Sequence, residues 1–268
     1  MHRRTLLTAA SCAAACSALA PLGSAHAQVT DLNDAINKAG RQRMLSQRVG
    51  KAWLALAHKA DTPTARQVME QSIALFERQL VELKAYAPSP TIRETYTKLE
   101  TAWAAHKTTL AAATSSTDNA SAMLQADAKV LALAHLGTTQ YEAASGKPVG
   151  HLVNIAGRQR MLSQRMAKFY LAAMLPVDAS TATTEIAKAR SEFIAATELL
   201  RNAPQATNRI RQELQLADGQ WVFFDAALKR SSASDAGSAR ALGEIFMASE
   251  NLLSVMDRVT GQYSALKT

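Results

Sequence analysis

Residues Ala39–Arg48 read AGRQRMLSQR, and the same ten residues return at Ala156–Arg165. The flanking residues agree as well: Asn37–Leu54 reads NKAGRQRMLSQRVGKAWL and Asn154–Leu171 reads NIAGRQRMLSQRMAKFYL, at an offset of 117 residues. Ten identical consecutive positions do not arise by chance. The chain therefore contains an internal duplication, which has to be interpreted before any other feature.

Weaker echoes of the duplication run through the rest of the sequence. They pair Phe76 with Phe193, Leu83 with Leu200, Trp103 with Trp221, and Gln140-Tyr141 with Gln262-Tyr263. The duplication predicts two copies of one unit, at residues 28–146 and 147–268.

The pattern within each copy predicts helices only. Proline is tolerated at helix starts and excluded from helix interiors, so six prolines mark predicted joints: Pro63, Pro88, Pro90, Pro148, Pro176 and Pro204. Between them, apolar residues recur at spacings of three and four. The predicted helices cover about 31–60, 63–86, 91–113 and 120–145, then about 149–175, 180–202, 205–230 and 237–266. The predicted fold class is all-α, with two tandem up-and-down four-helix bundles related by internal duplication.

Residues 1–27 have the pattern of a cleavable signal peptide. Arg3 and Arg4 precede an apolar run, and Ala25-His26-Ala27 is typical of a cleavage site. The arginine pair also fits a twin-arginine signal, so both export routes stay open. No later stretch reaches the roughly 18 uninterrupted apolar residues of a membrane span. We expect a soluble periplasmic protein.

The chain has 30 Lys and Arg against 22 Asp and Glu, a net charge of +8, and cleavage of the leader would leave +6. This excess suits an anionic ligand or a membrane surface. No basic stripe interleaved with aromatic residues is present, so nucleic acid is not an expected partner.

The repeated segment, placed on a helix, separates two stripes of apolar or small residues on nearly opposite faces. One is expected to face its own bundle and comprises Leu45, Val49, Ala52 and Leu56, with Leu162, Met166, Phe169 and Ala173 in copy two. The other, called the seam below, comprises Ile36, Gly40, Arg43, Gln47, Gly50 and Leu54, with Val153, Gly157, Arg160, Gln164, Ala167 and Leu171 in copy two. Its 4, 3, 4, 3, 4 spacing is typical of paired helices. We expect the two opening helices to pair around a pseudo-two-fold axis, as a monomeric pseudo-dimer or in a homodimer.

Such pairing brings Arg43 close to Arg160, which is costly unless an anion or a carboxylate lies between them. Guanidinium groups suit planar oxyanions because they donate parallel hydrogen bonds. The seam therefore predicts a small-anion site at this pair, with secondary ligand-binding residues Gly40, Gly157, Gln47 and Gln164. In the alternative, both arginines form salt bridges with acidic neighbours. The flanking arginines are expected to be either solvated or paired: Arg41, Arg48, Arg158 and Arg165.

The motif Asn-x-Ala-Gly-x-x-Arg-Met-Leu-Ser-Gln-Arg resembles the P-box that opens the periplasmic sensor domain of nitrate/nitrite sensor kinases of the NarX type and the related PilJ-type chemotaxis transducer N-terminal domain. The resemblance implies an antiparallel four-helix bundle, pairing of two such bundles through their first helices, and binding of nitrate or nitrite through the arginine before the methionine. That arginine is Arg43 in copy one and Arg160 in copy two. The match is close over the P-box and holds only in pattern elsewhere, and Ile155 stands where copy one has Lys38.

The sequence contains no catalytic motif: G-x-S-x-G, the P-loop, C-x-x-C-H and H-E-x-x-H are all absent. No catalytic residue, metal site or cofactor is therefore predicted. We interpret His58, His106, His135 and His151 as surface or core residues, because Glu-x-x-His spacing is missing. Aromatic residues at helical spacing are expected in the core: Trp53, Trp103, Trp221, Phe76, Phe193, Phe223 and Phe224.

Two functional hypotheses follow. The first is a soluble periplasmic module that binds or senses a small oxyanion, nitrate or nitrite, between the P-box helices. The sensors that carry a P-box continue into kinase or methyl-accepting domains, which do not follow here, so we expect a membrane-bound signalling partner. The second is a ligand-free scaffold or adaptor that docks on a membrane sensor, pilus or chemotaxis component, with the P-box used for packing.

Overall fold

The computed structural model describes residues 28–111, 117–175, 179–230 and 235–267. Within these ranges there are eight helices and no strand: α1 (Leu32–Ala57), α2 (Thr62–Tyr86), α3 (Pro90–Ala111), α4 (Thr117–Ser145), α5 (Pro148–Ala173), α6 (Ala179–Asn202), α7 (Asn208–Lys229) and α8 (Ala239–Ser264). The predicted fold class is confirmed: the chain is all-α, with bundles α1–α4 and α5–α8. The expected signal peptide at residues 1–27 and Pro176 lie outside the described residues.

The helices begin where the local chemistry favours a start. Pro63 lies in the first turn of α2, and α3 and α5 each begin at a proline. Elsewhere a polar side chain caps the first turn: Asp31 accepts a hydrogen bond from the backbone N of Asp34 at 2.8 Å. Because these starts are encoded locally, the predicted boundaries agree with the observed ones to within a few residues.

Helices α1 and α5 occupy the centre of the molecule. Each packs against two helices of its own bundle, and the two make their most extensive contact with one another. All twelve residues of the seam are buried. The predicted pairing of the opening helices is therefore confirmed, and it occurs here within one chain.

The two bundles repeat their internal contacts. Phe76 stacks on Trp103 with ring centroids 3.9 Å apart, and Phe193 stacks on Trp221 at 4.6 Å. One aromatic prediction is wrong, because Phe223 is 70% exposed. Adjacent residues on a helix point about 100° apart, so only one of this pair can face the core, and the buried one is Phe224.

The last helices of the two copies also correspond. The hydroxyl of Tyr141 on α4 donates to the carbonyl O of Leu83 at 2.5 Å, and the hydroxyl of Tyr263 on α8 donates to that of Leu200 at 2.6 Å. These matched contacts fix the register between α4 and α8 at an offset of 122 residues, five more than the offset between α1 and α5.

Two buried lysines connect the bundles. Nζ of Lys51 on α1 donates to Ser249 Oγ at 2.7 Å and to Glu250 Oε1 at 2.6 Å, both on α8. The equivalent Lys168 on α5 donates to Asp127 on α4. Each lysine thus reaches from the opening helix of one copy to the last helix of the other.

Among the helices of the described ranges, none is long and apolar enough to cross a membrane.

Candidate functional site

The backbones of α1 and α5 approach each other closely at a pair of glycines. A Cβ added at Gly40 would lie 3.6 Å from the Cα of Gly157, and 3.3 and 3.5 Å from Nη2 of Arg43 and Arg160. The two guanidinium groups therefore lie side by side at the helix crossing, where a larger side chain would collide with them. Both arginine side chains are fully buried.

Each arginine reaches across the crossing to the backbone of the opposite helix. Nη2 of Arg43 donates to the carbonyl O and to Oδ1 of Asn154 on α5, at 3.1 and 2.7 Å. Nη2 of Arg160 donates to the carbonyl O of Asn37 on α1 at 3.0 Å. The Nε of each guanidinium is buried without a hydrogen-bond partner in the part of the chain that the structure describes. An unsatisfied buried donor is costly, and each Nε could donate to a bound ligand.

The pair is asymmetric in its counter-ions. Nη1 of Arg160 donates to Oδ1 of Asp257 on α8 at 2.5 Å, and the same oxygen accepts from Arg41 at 2.9 Å. Nη1 of Arg43 instead faces Nδ1 of His135 on α4 at 3.3 Å. Within the described ranges no carboxylate lies at ion-pair distance from Arg43. The sequence left two interpretations of the arginine pair open, an anion site and salt bridges. Arg160 forms a salt bridge, whereas Arg43 is a buried cation without a carboxylate partner among the described residues.

The electrostatics follow from these neighbours. Burial, and then repulsion from Arg158 and Arg160, lower the pKa of Arg43 to about 9. Burial also lowers the pKa of Arg160, to about 10, but there Asp257 opposes the shift. Burial disfavours the charged form of Asp257, yet the two arginines outweigh it and lower the pKa of this carboxyl to about 2. Arg43 is thus the cation that would gain most from an added anion.

The two seam glutamines lie one turn further along and are bound elsewhere. Nε2 of Gln47 donates to both carboxylate oxygens of Asp127 at 2.9 Å. Nε2 of Gln164 donates to the carbonyl O of Ser249 at 2.9 Å. The structure therefore brings together Arg43, Arg160, Gly40 and Gly157, whereas Gln47 and Gln164 use their amide donors to hold α4 and α8.

A cleft of about 260 Å³ opens beside Arg43, between α4, α5 and α6. Its ionisable lining comprises four cations, two carboxylates and one histidine: Arg43, Arg158, Arg165, Lys188, Glu185, Glu192 and His135. Because cations outnumber carboxylates two to one, the cleft suits an anion. The sequence interpretation missed His135 and Arg158 as site residues, although the offset between α4 and α8 places His135 at the position of Asp257.

The flanking arginines are all ion-paired. Arg41 binds Asp257 and Arg48 binds Glu250, both across the two copies. Within copy two, Arg165 binds Glu185 at 2.6 Å and Arg158 binds Glu192. These pairs agree with one of the two expectations from the sequence, pairing rather than free solvation. In the described ranges, no group of three or more histidine, cysteine or acidic residues could hold a metal ion.

The fold and the site define a class of protein: a duplicated four-helix-bundle module whose buried cations meet where the copies pack together. The model of a known family, described as type IV pili methyl-accepting chemotaxis transducer N-term, matches residues 25–128 and 141–245. The chain belongs to this family and carries two tandem copies of its domain. The family is one of sensory and signalling modules. No curated protein and no solved structure gives a significant match.

Proposed function

We propose that the chain is a soluble periplasmic sensing module that binds a small oxyanion, nitrate or nitrite, at the arginine pair between α1 and α5. One observation carries the proposal: the guanidinium of Arg43 is fully buried beside that of Arg160, without a carboxylate partner. An unpaired buried charge is expensive, and a bound anion would offset that cost. Guanidinium donors match the planar oxygens of nitrate and nitrite.

The hydrogen bonds of the pair suggest how binding would be communicated. Arg43 and Arg160 hold the opposite helix through the carbonyl groups of Asn154 and Asn37. An anion that recruits these donors would loosen those bonds and change how α1 packs on α5. Because α1 and α5 contact α4 and α8 directly, the change would reach both bundles. A membrane-bound signalling partner, as the family description suggests, would then receive the signal.

The test is isothermal titration of the chain from Gln28 onward with nitrate and nitrite, using chloride and sulfate as controls and light scattering to measure the oligomeric state. The informative variant is Arg43→Met, which removes a buried charge that has no carboxylate partner and keeps a side chain of similar length. We expect it to abolish saturable binding, and circular dichroism melting separates loss of binding from loss of fold. The matched control is Arg201→Met, which removes a guanidinium paired with Asp218 outside the cleft lining.

Unchanged nitrate affinity in an Arg43→Met, Arg160→Met double variant would remove the site from the helix crossing. Absence of heat with every anion would contradict the proposal as a whole. Detection of a chain beginning at Gln28 in a periplasmic fraction would test the expected export.

Exposed apolar side chains on the surface of α7 support the adaptor alternative. On α7, Leu216, Val222 and Phe223 are 56, 65 and 70% exposed. Copy one has Lys98, Ala104 and Ala105 at the matching positions, so the surface is specific to copy two. Exposed apolar patches commonly mark contacts with other proteins. A partner captured equally well with and without nitrate, and lost in Phe223→Ser, would favour the adaptor function.

A further inference from the structure

The two arginines have different neighbours because α4 and α8 carry different side chains at the position that faces Nη1 of the arginine. The register between these helices, an offset of 122 residues, puts His135 of α4 where α8 has Asp257. The contacts agree, because His135 faces Nη1 of Arg43 and Asp257 accepts from Nη1 of Arg160. A neutral ring thus replaces a carboxylate in one half of an otherwise repeated arrangement.

The Arg160 half provides its own anion. Asp257 accepts from Arg160 and from Arg41, so one carboxylate serves two guanidinium groups. Two turns earlier on α8, Glu250 binds Arg48 through both of its oxygens. Helix α8 therefore covers both flanking arginines of α1 with carboxylates.

The Arg43 half lacks these carboxylates. At the positions of Glu250 and Asp257, α4 has Ala128 and His135, and both line the cleft. The flanking arginines of α5 pair instead with acidic residues on α6, the opposite wall. The α4 wall beside Arg43 is left with apolar and neutral side chains and with room for a ligand.

We infer that the arginine pair consists of two unequal half-sites, and that the chain binds one oxyanion in the α4–α5–α6 cleft, against Arg43 with Arg158 and His135 beside it. Asp257 occupies the corresponding place at Arg160. This inference rests on the proposed function and specifies its location and stoichiometry. It assigns specificity to the difference between His135 and Asp257, outside the repeated P-box.

The charges around the cleft favour this position. Arg43 is repelled by Arg158, and both line the cleft, so an anion placed between them relieves an unfavourable interaction. Lys188 is exposed, lines the same cleft and forms no ion pair with the described residues. Its charge would attract an anion entering from solvent.

The decisive variant is His135→Asp, which gives Arg43 the counter-ion that Arg160 already has. We expect nitrate affinity to fall at least about tenfold, because the new carboxylate competes for the same donors. The melting temperature should not fall, since a buried cation gains a partner. The matched control is Leu136→Asp, which makes the same charge change on an adjacent, exposed residue outside the cleft lining. It should keep the affinity within about twofold, because an exposed charge is screened.

The reciprocal variant is Asp257→His combined with Glu250→Ala, which gives α8 the two side chains that α4 has beside Arg43. We expect titration to show two nitrates per chain in this variant and one in the unmodified chain. Circular dichroism melting of each variant separates loss of binding from loss of fold.

The outcomes distinguish the inference from the proposed function. Nitrate affinity that is unchanged in His135→Asp would place the anion away from the cleft beside Arg43 and overturn the inference, with the proposed function intact. Two nitrates per unmodified chain would overturn it as well. No binding of nitrate or nitrite by the unmodified chain would overturn the proposed function itself.

Discussion

At the scale of single residues, the two copies differ at a core position that is polar in copy one and apolar in copy two. His106 on α3 is fully buried, and its Nε2 has no hydrogen-bond partner among the described residues. Its ring lies 5.6 Å from that of Trp103, in the place that Phe224 takes 6.2 Å from Trp221. Burial lowers the pKa of His106, and Lys168 adds to this effect against the opposing influence of Asp127.

This shift predicts an acid-sensitive fold. The folded-state pKa of His106 lies below its unfolded value, so the unfolded chain binds the proton more readily. The free energy of unfolding is therefore highest while His106 is neutral, and it decreases as the pH falls below about 6.5. We expect His106→Phe to flatten the fall in the free energy of unfolding on acidification, by up to about 1.4 kcal/mol per pH unit. Urea unfolding at neutral and mildly acidic pH measures this slope.

The matched position in copy two provides the control. Phe224→His should introduce a second buried histidine and steepen the dependence on pH, whatever its effect on stability at neutral pH. If His106→Phe leaves the slope unchanged, other titrating groups cause the acid sensitivity, and this explanation is wrong.

At the scale of elements, α3 and α4 pack closely at Gly137. A Cβ at this position would lie 2.9 Å from Cε2 of Tyr96 and 3.0 Å from its hydroxyl oxygen, and Tyr96 is itself fully buried. Helix propensity alone favours alanine over glycine by about 1 kcal/mol. We expect the clash to prevail, so that Gly137→Ala destabilises the chain by about 1 to 3 kcal/mol in urea unfolding.

The comparison variant is Gly243→Ala on α8, where no atom lies within 4 Å of the added Cβ. It should stabilise the chain by up to about 1 kcal/mol, because only helix propensity changes. Stabilisation by both substitutions would show that α3 moves away from α4 at little cost.

The ends and pairing faces of the helices could be predicted from the sequence, whereas contacts between distant helices could not. Helix ends are encoded locally by residues such as Pro90 and Asp31, and the pairing face of α1 is encoded by its own spacing. Contacts between distant helices depend on register, which loop lengths change. The offset grows from 117 residues between the opening helices to 122 between α4 and α8, so the P-box alone did not show that His135 and Asp257 correspond. Nor could helical spacing decide between Phe223 and Phe224, which depends on how α7 is rotated.

At the scale of the whole molecule, the seam joins two bundles into one folding unit. The opening helices bury Arg43 and Arg160 against one another, and either copy alone would expose this surface. Lys51 and Lys168 add ion pairs that cross between copies in the buried interior. Breaking one buried pair by removing a partner typically costs about 3 to 5 kcal/mol. Separation of the bundles without unfolding should therefore be rare.

Burial of the seam between the two bundles predicts that damage to one copy destabilises the other equally. In a Trp221→Phe background, fluorescence reports only copy one, through Trp53 and Trp103, whereas far-ultraviolet circular dichroism reports every helix. Leu214→Ala removes a fully buried side chain of α7 in copy two and should cost about 2 to 5 kcal/mol.

If the molecule unfolds as one unit, Leu214→Ala shifts the fluorescence and circular dichroism midpoints together, because copy one cannot remain folded without its partner at the seam. A fluorescence midpoint that stays fixed while the circular dichroism transition splits in two would show that the bundles unfold independently. The ion pairs of Lys51 and Lys168 would then contribute little to the coupling between the bundles. A signal arising at the α1–α5 crossing would have to reach each bundle separately.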